Sequence, residues 1–183
     1  MQKINSICVF CASSPEASEP LKDLAADLGQ KIAEKKISLV YGGASIGLMG
    51  SVARGAHKSG GKVIAIFPEL FAGKDIDFVE ADEFIVTDDM RERKTLMEQK
   101  SDAFIALPGG IGTLDEIAEI LTLIQLKQIS KPLILINYRN YYSPLIKFFD
   151  SIVEQKLAKE TFLKSYYLAE SNDDAMDFLT NYR

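Results

Sequence analysis

Short, wholly apolar runs alternating with amphipathic stretches constrain this chain more than any other feature. "SICVF", "ISLVYGG", "KVIAIFP", "FIVT", "DAFIALPGG" and "KPLILIN" read as strands. Between or after them stand "EPLKDLAADLGQKIAEKK", "GLMGSVARGAHKSGG", a segment from about Asp89 to Lys100, another from Thr113 to about Gln128, "YYSPLIKFFDSIVEQKL" and "NDDAMDFLTNY", which read as helices. A strand with no polar face must be covered on both sides. Strands separated by helices pair in parallel through right-handed crossovers. The pattern therefore predicts an α/β fold, a doubly wound parallel sheet with helices on both faces.

The 183 residues suit one domain over 1–183, with no internal repeat, linker or low-complexity tract. A formal net charge of -5 argues against a broad nucleic-acid face. No apolar run reaches the length of a membrane span. The opening "MQKINSICVFC" lacks the basic, apolar and cleavage regions of a secretory leader, so a cytoplasmic protein is expected. Cys8 and Cys11 form a C-x-x-C, but three positions apart on a strand they point to opposite faces, which argues against a redox pair. His57 is the single histidine and reads as a helix end, so no metal cluster is expected.

In such a sheet, ligands bind beyond the carboxyl ends of the strands. "YGGASIG", "FPELFAGKD" and "LPGGIGT" should meet there. Two of these are glycine loops that enter helices. Glycine lets a ligand approach the backbone, and a helix N-terminus adds free amides and a positive dipole end. Together they suit a phosphate. Neither loop has the G-x-G-x-x-G spacing of dinucleotide sites. Gly42 and Gly47 have P-loop spacing, but Leu48-Met49 stands where Lys-Ser/Thr is required. What remains is a phosphate held by backbone amides, as on a mononucleotide.

Two charged motifs admit two readings each. In "DDMRERK", Asp88 or Asp89 caps a helix, and Arg91, Arg93 and Lys94 either form a solvated face or send one arginine into the crevice. In "LPGGIGTLDEI", Thr113 and Glu116 have the spacing of a capping box, or Glu116 works on a ligand. Leu114, Ile117, Ala118 and Leu121 have helical spacing and read as core. Leu123 and Gln128, further along, are available to a partner subunit.

"PGGIGTLDE" resembles the P-G-G-x-G-T-x-x-E signature of the Lonely guy family, and "MRERK" resembles its companion motif. "ICVFCASS", "LVYGGASIGLMG" and "SDAFIALPGG" match it too, so the resemblance runs along nearly the whole chain. It implies a Rossmann-like homodimer without redox cofactor or pyridoxal phosphate. It also implies a phosphoribohydrolase that splits N6-modified adenine, and in many members plain adenine, from riboside 5′-monophosphates. Many members carry the old label of possible lysine decarboxylase. By the same resemblance the catalytic residues are Arg93 and Glu116, with Glu116 expected to point into the crevice near Arg93 and its capping-box spacing to Thr113 incidental. The phosphate loop is Gly109, Gly110, Ile111, Gly112 and Thr113. Met90, Lys94 and Gly43 contribute to the substrate site. Asp75 falls where plant-like members carry a glutamate, and Ala44 where many carry a third glycine.

An oxocarbenium-like transition state is expected for N-glycosidic cleavage. A carboxylate at Glu116 would stabilise it and orient or deprotonate water. The helix dipole favours its ionised form. Two rivals stand beside this reading. One is a non-catalytic nucleotide-binding module, which needs the loops but not Arg93 and Glu116 together. The other is amino-acid decarboxylation, which needs a pyridoxal phosphate lysine that no context here marks.

Overall fold

The computed structural model describes residues 3–71 and 80–182. Seven strands form one all-parallel sheet in the order β4-β3-β2-β1-β5-β6-β7. They are β1 (Ser6–Phe10), β2 (Ser38–Tyr41), β3 (Val63–Pro68), β4 (Glu83–Thr87), β5 (Ala103–Ala106), β6 (Leu133–Ile136) and β7 (Tyr167–Ala169). The helices are α1 (Glu19–Glu34), α2 (Gly47–Lys58), α3 (Met90–Gln99), α4 (Ile111–Gln125), α5 (Ser143–Glu154) and α6 (Asn172–Asn181). This is the doubly wound, Rossmann-like α/β fold expected from the pattern of apolar runs.

Helices cover both faces. Leu28 and Ile32 of α1, Leu48 and Val52 of α2, and Met176 and Leu179 of α6 pack with Ile7, Val9 and Tyr41. Met97 of α3, Ile117, Ile120 and Leu121 of α4, and Phe149 of α5 pack with Cys8, Phe10 and Phe104. Cys8 and Cys11 thus lie in opposite layers, each a free buried thiol. Burial raises both thiols above their ordinary range, which makes them poor thiolates.

β3, β5 and β6 are buried along their whole length. The edge strand β4 instead exposes Phe84 and Val86. β7 is a three-residue, half-buried edge strand that the apolar-run pattern does not reveal. Order reverses at β1. The chain winds outward from β1 to β4, then returns to lay β5 on the other side of β1. A crevice opens at such a switch point, above the carboxyl ends of the strands.

Two expectations about α4 need correction. The helix starts at Ile111, with Gly110 as N-cap, rather than at Thr113. Leu114 is 38% exposed and Ala118 is also exposed, so only Ile117 and Leu121 of that stripe are core. The buried face of α4 runs through Thr113, Glu116, Ile117, Ile120 and Leu121, which leaves Leu114 and Ala118 on its outer margin. Leu123 is half-buried and packs against the core, whereas Gln128 is exposed.

Candidate active site

A cleft of about 400 Å³ lies over the switch point, within the range of roughly 300–1,000 Å³ usual for small-molecule sites. Its wall comes from four segments at the carboxyl ends of strands. Cys11 to Ser14 follow β1, Gly42, Ala44 and Ile46 follow β2, Phe67 and Pro68 end β3, and Gly110 and Gly112 follow β5. Met90 and Arg93 of α3, and Thr113, Asp115 and Glu116 of α4, complete it. The loop after β1 was not singled out from sequence as part of the site. Its place beside the switch point is the signal that could have found it.

The two glycine loops do different things. At the start of α2, the amides of Leu48 and Met49 donate to the Ala12 carbonyl at 2.9 and 3.2 Å. That helix end is occupied by the protein itself. Gly47 has a left-handed backbone (φ 60°), and a Cβ there would lie 2.6 Å from the backbone of Ser13 and Ser14. Gly43 is also left-handed (φ 84°) and sits against the Phe67 side chain, so it serves the turn.

The start of α4 is open. Its first intrahelical bond runs from Leu114 N–H to the Gly110 carbonyl at 3.1 Å, and no side chain caps the helix. The amides of Ile111, Gly112 and Thr113 precede that bond and end a helix dipole. Thr113 is buried, while the Ile111 side chain is 83% exposed. Gly109 packs against Thr113, since a Cβ there would fall 2.1 Å from Thr113 Oγ1. Of the two loops, only this one has the geometry of an anion seat.

Glu116 is not a capping residue. It stands in the second turn of α4, 6% exposed, and its Oε1 accepts from Arg93 Nη1 at 3.0 Å. Arg93 is 4% exposed, and its Nε donates to the Ile66 carbonyl of β3 (3.2 Å). Of the two readings of the arginine run, the structure takes the one that turns Arg93 into the crevice. Asp89 caps α3 by accepting from the amides of Arg91 and Glu92 at 2.7 and 2.9 Å. Burial raises the Glu116 carboxyl above its ordinary range, and the neighbouring guanidinium opposes that rise.

Gly42, next to the Gly43 expected at the substrate site, makes the arginine's position possible. A Cβ at Gly42 would lie 1.9 Å from Arg93 Nη2. Lys94 does not line the cleft; it pairs with Asp115 (2.9 Å) and Glu119 (2.8 Å), tying α3 to α4. Met90 lines the cleft mouth, 39% exposed. Asp75 lies outside the described residues. Among the described residues no cluster of His, Cys, Asp or Glu could hold a metal ion.

Fold and site together define a Rossmann-like α/β protein in which an uncapped helix start shares one cleft with a buried arginine–glutamate pair. A family model described as possible lysine decarboxylase matches residues 49–179. Over 157 residues the chain is 43% identical to the cytokinin riboside 5′-monophosphate phosphoribohydrolase LOG5 of Arabidopsis thaliana, covering 86% of this chain and 69% of that protein. Over 180 residues it is 37% identical to the probable phosphoribohydrolase of the same name, LOGL2, of Oryza sativa subsp. japonica, covering 98% and 74%. The chain belongs to this family, the Lonely guy family of phosphoribohydrolases. Among solved structures, the molybdenum cofactor binding protein of Rippkaea orientalis is 26% identical with a TM-score of 0.71, covering 98% of both chains. The molybdenum cofactor carrier protein of Chlamydomonas reinhardtii, at 24% identity, has a TM-score of 0.74 over 97% of each chain and shares the fold.

Proposed function

We propose that this protein hydrolyses the N-glycosidic bond of purine riboside 5′-monophosphates, N6-modified adenine and AMP among them, to free base and ribose 5-phosphate. The observation that carries the reading is the buried Arg93–Glu116 pair, set in one cleft with the open end of α4. The names and identities of the plant relatives support the same substrate class.

In this mechanism the amides of Gly110 to Thr113 bind the 5′-phosphate. That anchor lies away from the bond that breaks, so phosphate binding orients the ribose. The C1′–N bond breaks with its electron pair leaving on the purine. Positive charge develops on the ribose, and the Glu116 carboxylate stabilises it. Water adds its oxygen to C1′, Glu116 takes one of its protons, and that proton passes on through solvent to the purine anion, so the purine leaves protonated and Glu116 is ionised again. A carboxyl raised by burial is a stronger base when ionised, which suits this step. Arg93 holds Glu116 in place through its Nη1. A second copy of the chain covers the outer face of α4, where Leu114 and Ala118, and Leu126 just past its end, are exposed.

The test is a panel of nucleoside monophosphates and their nucleosides, with free base measured by chromatography. Base release from the monophosphates and little from adenosine is the expected result. Equal turnover of AMP and adenosine would remove the phosphate seat from the mechanism. Tight binding without base release would make the protein a nucleotide-binding module.

A further inference from the structure

The segment between β6 and α5 holds a pair of adjacent tyrosines that the mechanism does not use. Tyr142 is 5% exposed, and its hydroxyl donates to the Leu107 carbonyl at 2.6 Å. Tyr141 reaches beside it, and its hydroxyl donates to the Gly109 carbonyl at 2.6 Å. The two rings meet edge to face, with centroids 5.2 Å apart. Both acceptors belong to the turn that leads from β5 into α4.

The backbone before the pair is unusual. Arg139 and Asn140 are consecutive non-glycine residues in the left-handed region, at φ 51° and 62°. Such conformations cost free energy and persist where the surroundings over-determine them. Here they end a short 3-10 turn (Tyr138–Asn140) and deliver Tyr141 and Tyr142 side by side. Asn137 adds a second fixing point, its Oδ1 accepting from the Tyr142 amide at 2.8 Å.

Peptide geometry gives the contacts a consequence. In a trans peptide the carbonyl and the following N–H point in opposite directions. A hydroxyl that holds the Gly109 carbonyl also fixes the direction of the Gly110 N–H, and Gly110 lines the cleft. The Leu107 carbonyl precedes Pro108, which has no N–H to offer. Tyr142 therefore fixes where the turn begins, and Tyr141 fixes which way the Gly110 amide points.

We propose that Tyr141 and Tyr142 are positioning residues for the anion seat, aiming the Gly110 amide and the start of α4 at the phosphate of the substrate. This rests on the reading that Gly110 to Thr113 bind that phosphate. The tyrosines touch loop carbonyls and not the reacting atoms, so their removal acts on phosphate affinity rather than on the chemical step.

The experiment compares wild type with Tyr141→Phe, Tyr142→Phe and the double variant. It measures KM and kcat for AMP, inhibition by ribose 5-phosphate and by ribose, and thermal melting. Each phenylalanine keeps the ring and removes one hydrogen bond, an effect of about three- to tenfold in affinity. The expected result is that KM and the ribose 5-phosphate inhibition constant rise together by that factor while kcat and ribose inhibition stay within about twofold. Tyr141 is 48% exposed, so Tyr141→Phe retains the fold even where the buried Tyr142→Phe does not. Unchanged phosphate affinity in Tyr141→Phe overturns the proposal. So does a loss confined to kcat and melting temperature. Wild type that does not distinguish ribose 5-phosphate from ribose refutes the phosphate seat itself. Wild type that distinguishes them, with variants that match it, refutes the tyrosine role alone.

Discussion

The guanidinium of Arg93 occupies the volume that a side chain at Gly42 would fill. The nearest approach, Gly42 Cβ to Arg93 Nη2, would be 1.9 Å. The obstructing atom is the tip of a flexible side chain, so it can move where a backbone atom could not. Gly42→Ala is therefore expected to fold normally and to displace the guanidinium from Glu116. A misplacement of about 1 Å in a positioned group costs on the order of a hundredfold. Steady-state kinetics with AMP and a melting curve check this. Turnover at the wild-type level would show that the arginine's position is unimportant.

Glu116→Gln keeps an oxygen that can accept from Arg93 Nη1 but removes the charge and the basicity. Turnover should fall by at least about a hundredfold, with substrate still bound and the melting temperature little changed. Loss of stability with activity intact would return Glu116 to a purely structural role.

The acid limb of the pH–rate profile should lie above the ordinary glutamate value of about 4.3. Burial raises the Glu116 carboxyl, and Asp115 adds to the rise while Arg93 opposes it. The ionised form is the active one, so activity is present above the raised value and is lost as pH falls through it. Asp115→Asn removes one raising influence, and the limb should then move to lower pH. A limb that stays fixed, or moves upward, would separate it from Glu116.

Lys94→Ala removes two ion pairs between α3 and α4. Its partners Asp115 and Glu119 are 58% and 40% exposed. Solvent screens such pairs, so the expected loss is about 0.5–1 kcal/mol of stability, read from urea midpoints. Lys94 also lowers the Glu116 carboxyl, so the same variant should move the acid limb upward. A large stability loss without a shift of the limb would make Lys94 a packing residue only.

The strands and helices were legible because each apolar run is long enough to show its period. β7 was not, because three residues at an edge, two of them half-buried, are too few to carry a period. Arg93 and Glu116 were legible through their motifs. Their meeting in the crevice was legible too, but the start of α4 at Ile111 was not, since the threonine at 113 reads locally as a better start than a glycine at 110. The distinction between the two glycine loops was also hidden. It rests on the Ala12 carbonyl, a backbone acceptor that no residue type announces. Tyr141 and Tyr142 belong to no motif, and only the tertiary fold brings them to the turn at Gly109.

The strand order has a consequence for how the enzyme could be divided. Arg93 follows β4, at the outer edge of one half of the sheet, and Glu116 follows β5, across β1 in the other half. A cut between α3 and β5 would give two fragments, each with one member of the pair and neither with a working site. Turnover in a mixture of the two would then act as a complementation signal, appearing only where the halves have reassembled around β1.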